Sequence, residues 1–159
     1  MSKKHPTLDK DLFWRLIEIS TALSSERNKA RLFEKILDAA QDITHADGGT
    51  LYLLQEKNGK QVLEFEIMRN NSLKLTLGGT SGRPIPFAPL ALYRDDGTPN
   101  HNNIATHTAL TKNVENIEDA YYAEHLDFSG TKAFDTRANY RSKSFLTTPL
   151  CNHADEVIG

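Results

Sequence analysis

The sequence lacks the features that define several large classes of protein. Cys151 is the only cysteine among 159 residues, which excludes an internal disulfide framework and favours a reducing compartment. No apolar run approaches the roughly 18 residues of a membrane-spanning helix. The basic N-terminus has no apolar segment of the kind found in signal peptides. We therefore expect a cytoplasmic protein that has no membrane partner.

The sequence also has no strong excess of either charge. Nineteen Lys and Arg residues face 21 Asp and Glu residues, for a formal net charge of -2. Binding to nucleic acid needs a concentrated basic face. The basic groupings are Lys3-Lys4 and Arg137-Arg141-Lys143, and solvated tail and loop charges explain them better. Nucleic acid is not expected as a partner.

Motifs for catalysis or metal binding are missing as well. The six histidines form no His-x-x-x-His and no carboxylate–histidine pair on a predicted helix, so no metal site is predicted. There is no Gly-x-Ser-x-Gly and no glycine-rich phosphate loop, and a disulfide redox cycle needs two thiols. We predict no catalytic residue, no metal and no cofactor, so this chain is not expected to be an enzyme.

Two helices are predicted at the start of the chain, after a polar tail over residues 1–7. The first helix covers residues 8–24, and its apolar residues recur at spacings of four, three and four, which places them on one face. These residues are Leu12, Leu16, Ile19 and Leu23. Such a stripe either packs on its own domain or pairs with the same helix of a second copy in a parallel homodimer.

The second helix is predicted over residues 29–44, where the apolar residues share one face as in an ordinary core helix. The segment His45–Gly49 follows, and its glycines are expected to cap the C-terminus of the helix.

The apolar period then changes from 3.6 to 2. A first strand at residues 50–55 is apolar on both faces and is expected to be central. Asn58-Gly59 signals a tight hairpin. A second strand around residues 63–67 alternates with glutamates, so it is expected to be buried on one face. A weaker third strand covers residues 73–77. Antiparallel hairpins flanked by helices indicate an α+β fold.

A long connection follows from Gly78 to Asn100, with four glycines and four prolines. Long loops in compact domains often act as lids or binding loops, although a mobile surface loop explains the composition equally well. Phe87 lies in this segment. It either stacks on a planar ligand or serves as a core or lid residue.

The remaining elements are predicted to be short. A helix over residues 103–111 is expected to be capped by Asn100 or Asn102. A strand at residues 114–117 leads into a helical turn that Asp119 caps. Residues 127–139 read as a polar loop. The chain then closes with a hairpin of residues 145–150 and 156 onward.

Three stretches of the C-terminal third resemble a known family. Phe134–Leu150 reads FDTRANYRSKSFLTTPL and is similar to the loop and strand near the end of a GAF domain, a sensory module of bacterial signalling proteins. Asn103–Thr111 with Asn116–Tyr121 resembles the GAF helix and its sequel. Glu156–Gly159 resembles the start of the last GAF strand, so that strand looks incomplete.

The resemblance implies a GAF-like (PAS-like) α+β fold. In that fold an antiparallel sheet carries an N-terminal helix pair on one face and a short helix plus loops over the other. Residues 8–159 would form a single such domain. The match looks closest to GAF domains that precede cyclic-nucleotide cyclases or HD-GYP phosphodiesterases, so an output domain in the full-length protein is expected.

The resemblance also implies a small-molecule site between the sheet and the short helix. Ile104 and Ala105 would offer backbone N–H groups to the phosphate of a cyclic nucleotide. Ser142 keeps a pocket hydroxyl that Ala138 lacks, which weakens classical recognition. The remaining implied ligand-binding residues are Phe87, Asn116 and Tyr121.

Two functions are therefore left open by the sequence. The first is a sensor in which a ligand closes segments 78–100 and 127–139 and shifts the dimer helices. The second is a dimerisation scaffold without a ligand, whose pocket is filled by its own side chains.

Overall fold

The computed structural model describes residues 10–159, except the side chains of Asp11 and Leu12. The predicted tail and the predicted helix start at residue 8 lie outside these residues. Helix α1 spans Lys10–Ser25 and α2 spans Lys29–Thr44. The second helix has the predicted bounds because its stripe buries Phe33 and Leu37 against the sheet.

The ends of α2 are capped by side chains and backbone in different ways. The Asn28 side chain accepts a hydrogen bond from the Arg31 N–H at 3.1 Å, which satisfies one free donor of the first turn. At the other end His45 adopts the left-handed conformation with φ 54° and donates to the Gln41 carbonyl. The prediction that glycines cap α2 is wrong, because His45 itself makes the turn and Gly48 already begins a strand.

One sheet forms the centre of the fold. Its strands are β1 (Gly48–Lys57), β2 (Lys60–Asn70), β3 (Leu75–Gly78) and β4 (Leu90–Ala91). Strand β2 pairs antiparallel with β1 along its whole length and with β3 and β4 along its other edge. The Asn58-Gly59 turn joins β1 to β2 with positive φ at both residues, as the hairpin signal predicted.

The prediction that the first strand is central is wrong, since β2 holds that place. Strand β1 is apolar on both faces because both are covered. Leu51 and Leu53 pack against α2, whereas Tyr52 and Leu54 pack towards the other face. On the outer edge of β1, the Leu54 N–H donates to the Ile158 carbonyl at 2.9 Å. An apolar pattern indicates that both faces of a strand are covered, and it does not indicate the position of the strand among β1–β4.

Helix α3 (Ile104–Thr111) covers the face of the sheet opposite α2. Ala105 and Ala109 pack there against Leu63 and Leu92, which are 1% and 5% exposed. Small alanines let the helix approach the strands closely. The order of layers is therefore the helix pair, the sheet and the short helix, which confirms the α+β prediction.

The segment from Gly78 to Asn100 is more ordered than a surface loop. A 3-10 turn at Gly79–Ser81 starts it, and β4 pairs with Val62 and Leu63 of β2. Tyr93 forms a bridge with Pro99. Residues 82–89 and most residues after β4 form no helix or strand, but the segment is anchored to the sheet through β3 and β4.

The chain closes with β5 (Glu115–Ile117), α4 (Ser129–Ala138) and β6 (Phe145–Thr147). Strands β5 and β6 form a small antiparallel sheet, and Cys151 bridges Val157 in the last hairpin. The prediction of a polar loop over residues 127–139 is wrong, because α4 occupies most of it. None of the helices within residues 10–159 combines the length and apolar character needed to cross a bilayer.

Candidate functional site

A buried carboxylate lies near the C-terminal end of α4. Asp135 is 1% exposed. Its Oδ1 accepts a hydrogen bond from the Ser142 hydroxyl at 2.8 Å, and its Oδ2 accepts from the Ser142 N–H at 2.8 Å and from the Tyr121 hydroxyl at 3.0 Å. A buried polar group is tolerated only when hydrogen bonds of this kind satisfy it. We call Tyr121, Asp135 and Ser142 the Asp135 cluster.

The end of α4 explains how Ser142 reaches Asp135. Asn139 follows the helix with φ 48°, in the left-handed region, and its N–H donates to the Asp135 carbonyl. The Tyr140 N–H donates to the same carbonyl at 2.9 Å. This reversal turns the chain back along the helix, so a residue seven positions later meets the Asp135 side chain. Asn tolerates this region of the backbone better than most residues.

Arg141 covers the Tyr121 side of the cluster. Its guanidinium lies 3.6 Å from the centre of the Tyr121 ring and forms two hydrogen bonds of 3.0 Å to the Asp119 carboxylate. A cation over an aromatic face contributes about 0.5–1 kcal/mol at a partly exposed site. Asp119 also accepts from the Tyr121 N–H at 2.9 Å, which confirms its predicted capping role.

These contacts shift the pKa values of Asp119 and Tyr121. The Tyr121 N–H, and then the Arg141 guanidinium, hold the pKa of the Asp119 carboxyl below its usual range. Burial, and then the hydrogen bond to Asp135, raise the pKa of the Tyr121 hydroxyl. At neutral pH an ionised Asp119 therefore lies beside a neutral Tyr121, whose hydroxyl donates a hydrogen bond to Asp135.

Four aromatic rings connect the sheet to this cluster. The ring centres of Tyr52 and Phe65 are 4.7 Å apart, those of Phe65 and Phe87 are 5.6 Å apart, and those of Phe87 and Phe134 are 6.4 Å apart. Phe134 directly precedes Asp135 on α4. Burial raises the pKa of the Tyr52 hydroxyl to about 12, so this ring is neutral. We call these residues the aromatic row.

Phe87 is half-buried within this row and contacts protein rings on both sides. A planar ligand would therefore have to insert between rings or displace Phe87. The same ring holds the middle of the long segment against α4.

The start of α3 is the second place where a ligand was predicted. Ile104 is its first residue and packs beside Tyr121 in the cluster of Ile117. The Ala105 N–H donates to the Asn103 side chain at 2.8 Å. Asn103 is thus the cap, and the predicted caps Asn100 and Asn102 are wrong. An anion at this N–H would have to replace the Asn103 side chain.

The predicted ligand residues are brought together only in part. Ser142 and Tyr121 share the Asp135 carboxylate, and Ala138 ends the same helix. Phe87 reaches α4 through Phe134. Asn116 lies apart: it is exposed on β5 and lines an open groove of about 740 Å³ together with Asp119, Tyr122 and Lys143.

Sequence reasoning missed Asp135 and Phe134, which link the predicted residues to each other. Both stand in the motif that carries the family resemblance, but the segment was interpreted as a polar loop. A helical interpretation of residues 129–138 would have placed both residues near the C-terminal end of a helix, just before the segment that carries Ser142. Within residues 10–159, no group of three or more His, Cys, Asp or Glu side chains is arranged to hold a metal ion.

Comparison with known proteins agrees with this architecture. A family model described as "GAF domain" matches residues 28–159. Among curated proteins, the chain is 27% identical over 163 residues to a "cGMP-specific 3',5'-cyclic phosphodiesterase" of Drosophila ananassae and 28% identical over 154 residues to that of Drosophila virilis. These matches cover 99% and 94% of the chain but only 12% and 15% of the two enzymes.

Solved structures of two bacterial domains have the same fold. One is the GAF domain from an Acinetobacter phosphoenolpyruvate-protein phosphotransferase, with a TM-score of 0.60 at 17% identity, covering 96% of this chain and 75% of that one. The other is the GAF domain from a phosphoenolpyruvate-protein phosphotransferase of Coxiella burnetii, with a TM-score of 0.61 at 12% identity, covering 95% and 76%.

Proposed function

The chain belongs to the GAF domain family, and on that premise we propose that it is a regulatory, non-catalytic domain that binds a small ligand within a signalling protein. The ligand lies between the sheet and α3, against the aromatic row and next to the Asp135 cluster. The observation that carries this proposal is the convergence of Tyr121 and Ser142 on one buried carboxylate at the end of a row of four rings.

The chemistry of this region suits a ligand with a flat ring and a polar group. Small-molecule sites are mostly apolar and aromatic, with a few placed polar groups that fix orientation. The aromatic row supplies surface for stacking, and the hydroxyls of Tyr121 and Ser142 supply hydrogen bonds. The similarity to phosphodiesterases named as cGMP-specific makes cyclic nucleotides the first class to test.

The proposed signal runs through the N-terminal helix pair. Ligand binding moves residues 82–89, the middle of the long segment, because they form no helix or strand. It also moves α4, because this helix carries Phe134 and Asp135. The change shifts the equilibrium between two arrangements of the dimer helices, because a ligand moves a population only through its differential affinity for the two states. An output domain in the full-length protein would respond to this change in the dimer helices.

Thermal unfolding against a panel of cyclic mononucleotides and dinucleotides tests ligand binding. Binding to the native state adds RT ln(1 + [L]/Kd), about 2.7 kcal/mol at a hundredfold excess over Kd, which for a domain of this size raises Tm by several degrees. A shift with one compound identifies the ligand. The absence of a shift with every compound contradicts the cyclic-nucleotide proposal.

Ser142→Ala tests whether this ligand uses the Asp135 cluster. The variant removes a hydroxyl that donates to Asp135, so we expect about tenfold weaker binding and a loss of about 1 kcal/mol of stability, both measured by calorimetry and denaturation. Ser144→Ala is the matched control, because Ser144 is an exposed serine two positions away. Equal affinity in the two variants contradicts the assignment of the site.

A ligand-free dimerisation scaffold is the second candidate function. The aromatic row fills part of the space where a ligand is expected, and the Ala105 N–H is already used by Asn103. Helix α1 also exposes four large apolar side chains within two turns. They are Phe13, Trp14, Leu16 and Ile17, which are 40–63% exposed.

Both functions use a dimer through α1, and this is tested separately. An exposed apolar patch of this kind marks an interface, whereas Ile19 and Leu23 further along the helix are half-buried. We expect a dimer by analytical ultracentrifugation and a monomer for the double variant Trp14→Glu/Leu16→Glu. Ser20→Glu, at an exposed polar position of the same helix, should remain dimeric. A wild-type monomer at high micromolar concentration contradicts the dimer in both functions.

A further inference from the structure

Tyr140 connects the candidate site to a distant corner of the fold. Its N–H donates to the Asp135 carbonyl at 2.9 Å, so its backbone is held by the residue at the centre of the site. Its hydroxyl donates to Asp47 Oδ2 at 2.7 Å. These two residues are 93 positions apart in the sequence. One side chain therefore spans from the end of α4 to the junction of α2 and β1.

Asp47 is tied to two other parts of that corner. Its Oδ1 accepts from the Ser72 N–H at 3.1 Å and from the Ser72 hydroxyl at 2.8 Å. Its carbonyl accepts from the Asn71 N–H at 2.8 Å and from Gln41 of α2 at 3.4 Å. Asp47 thus cross-links the end of α2, the β2–β3 turn and Tyr140.

The titration of both partners agrees with a charge-assisted hydrogen bond. The Tyr140 hydroxyl, and then Ser72, hold the pKa of the Asp47 carboxyl below its usual range. Burial, and then the bond to Asp47, raise the pKa of Tyr140. Hydrogen bonds to an ionised acceptor are roughly twice as strong as neutral ones.

We propose that the Tyr140–Asp47 hydrogen bond transmits the state of the ligand site to the C-terminal end of α2, and from there to α1. Tyr140 lies between the end of α4, which carries Asp135, and the segment before β6, which carries Ser142. A ligand that moves Asp135 or Ser142 therefore displaces the Tyr140 hydroxyl. Helix α2 contacts α1 at this end through the Arg15–Asp42 ion pair at 3.0 Å. This coupling rests on the proposed function in one respect: the ligand that would change the Tyr140–Asp47 bond is the ligand proposed above.

Hydrogen exchange on the ligand-free protein tests the coupling. Tyr140→Phe keeps the ring and removes the hydroxyl. We expect about tenfold faster exchange of the amides at residues 41–46 and 71–73, far from the substitution in sequence, and unchanged exchange in α3. Tyr122→Phe is the matched control, because its side chain is 81% exposed. Unchanged exchange at residues 41–46 and 71–73 overturns the proposal.

A reciprocal experiment separates coupling from simple loosening of the corner. Ser72→Ala removes a donor to Asp47 and lies outside the candidate site. If the coupling exists, Ser72→Ala speeds exchange of the amides of residues 140 and 142 several-fold when Tyr140 is present. In the Tyr140→Phe background it has no such effect, because coupling between two sites is mutual and here passes through the Tyr140 hydroxyl. An equal response in both backgrounds means that the signal bypasses this bond and overturns the proposal.

Addition of cyclic GMP distinguishes the two proposals. If it binds, residues 41–46 should change their exchange in the wild type and not in Tyr140→Phe; the same change in both overturns the coupling. If it does not bind, the proposed function loses its first ligand, whereas the coupling is judged by the ligand-free experiments alone.

Discussion

Replacing Asp135 with alanine is expected to lower the free energy of unfolding by about 3 kcal/mol. The substitution leaves three partly buried donors without their acceptor, namely the Tyr121 hydroxyl and the N–H and hydroxyl of Ser142. Each unsatisfied buried group costs about 1–3 kcal/mol, although relaxation towards water recovers part of the sum. Chemical denaturation with urea measures the difference.

Two further variants make this result specific. Asp135→Asn keeps one acceptor oxygen and places an amide against the remaining donors, so we expect a loss smaller than that of Asp135→Ala. Asp42→Ala is the matched control on α2, because its carboxylate is 66% exposed and pairs only with Arg15 among the contacts described. Exposed pairs contribute about 0–1 kcal/mol. A loss below about 1 kcal/mol for Asp135→Ala would show that the cluster does not hold α4 in place.

Gly78→Ala is expected to have the second large effect, a loss of more than about 3 kcal/mol. Gly78 ends β3 with φ 70° and ψ −166°, a region of the backbone that essentially only glycine adopts. A Cβ there would also overlap with the Glu66 carbonyl oxygen and lie 2.9 Å from Ile85. Since Glu66 belongs to the central strand, the backbone cannot move aside without breaking the β2–β3 ladder.

Gly97→Ala separates backbone strain from the steric overlap. Gly97 also has a positive φ, 82°, but a Cβ there would meet nothing within 4 Å. We expect it to cost about 1–2 kcal/mol. Thermal and urea unfolding of both variants should therefore differ clearly. Similar losses for Gly78→Ala and Gly97→Ala would mean that β3 adapts to the added atom and that the junction is not rigid.

Elements whose signals are local were predictable from the sequence. Helix α2 has the predicted bounds because its apolar period lies within the helix and its cap, Asn28, directly precedes it. The Asn58-Gly59 hairpin and α3 were also found, since each depends on residues that are close in sequence. The motif around Tyr140 indicated the family, and the match over residues 28–159 confirms it.

Helix α4 was not predictable in the same way. Its sequence, SGTKAFDTRA, has no apolar stripe, so the usual helical signal is absent. The helix is stabilised instead by contacts to other elements, mainly the packing of Phe134 against Phe87 and the hydrogen bonds of Asp135. Polar residues that are buried through long-range partners look the same in a sequence as polar residues in solvent.

The candidate site was likewise predictable only where its residues belong to a local motif. The residue types at Tyr121 and Ser142 were identified from the sequence, because the motif specifies them position by position. The carboxylate that joins them, the ring of Phe87 between Phe65 and Phe134, and the bond from Tyr140 to Asp47 appeared only once the chain was folded. Their partners come from up to 93 residues away, and no local pattern encodes a pairing that depends on how sheet, segment and helix pack together.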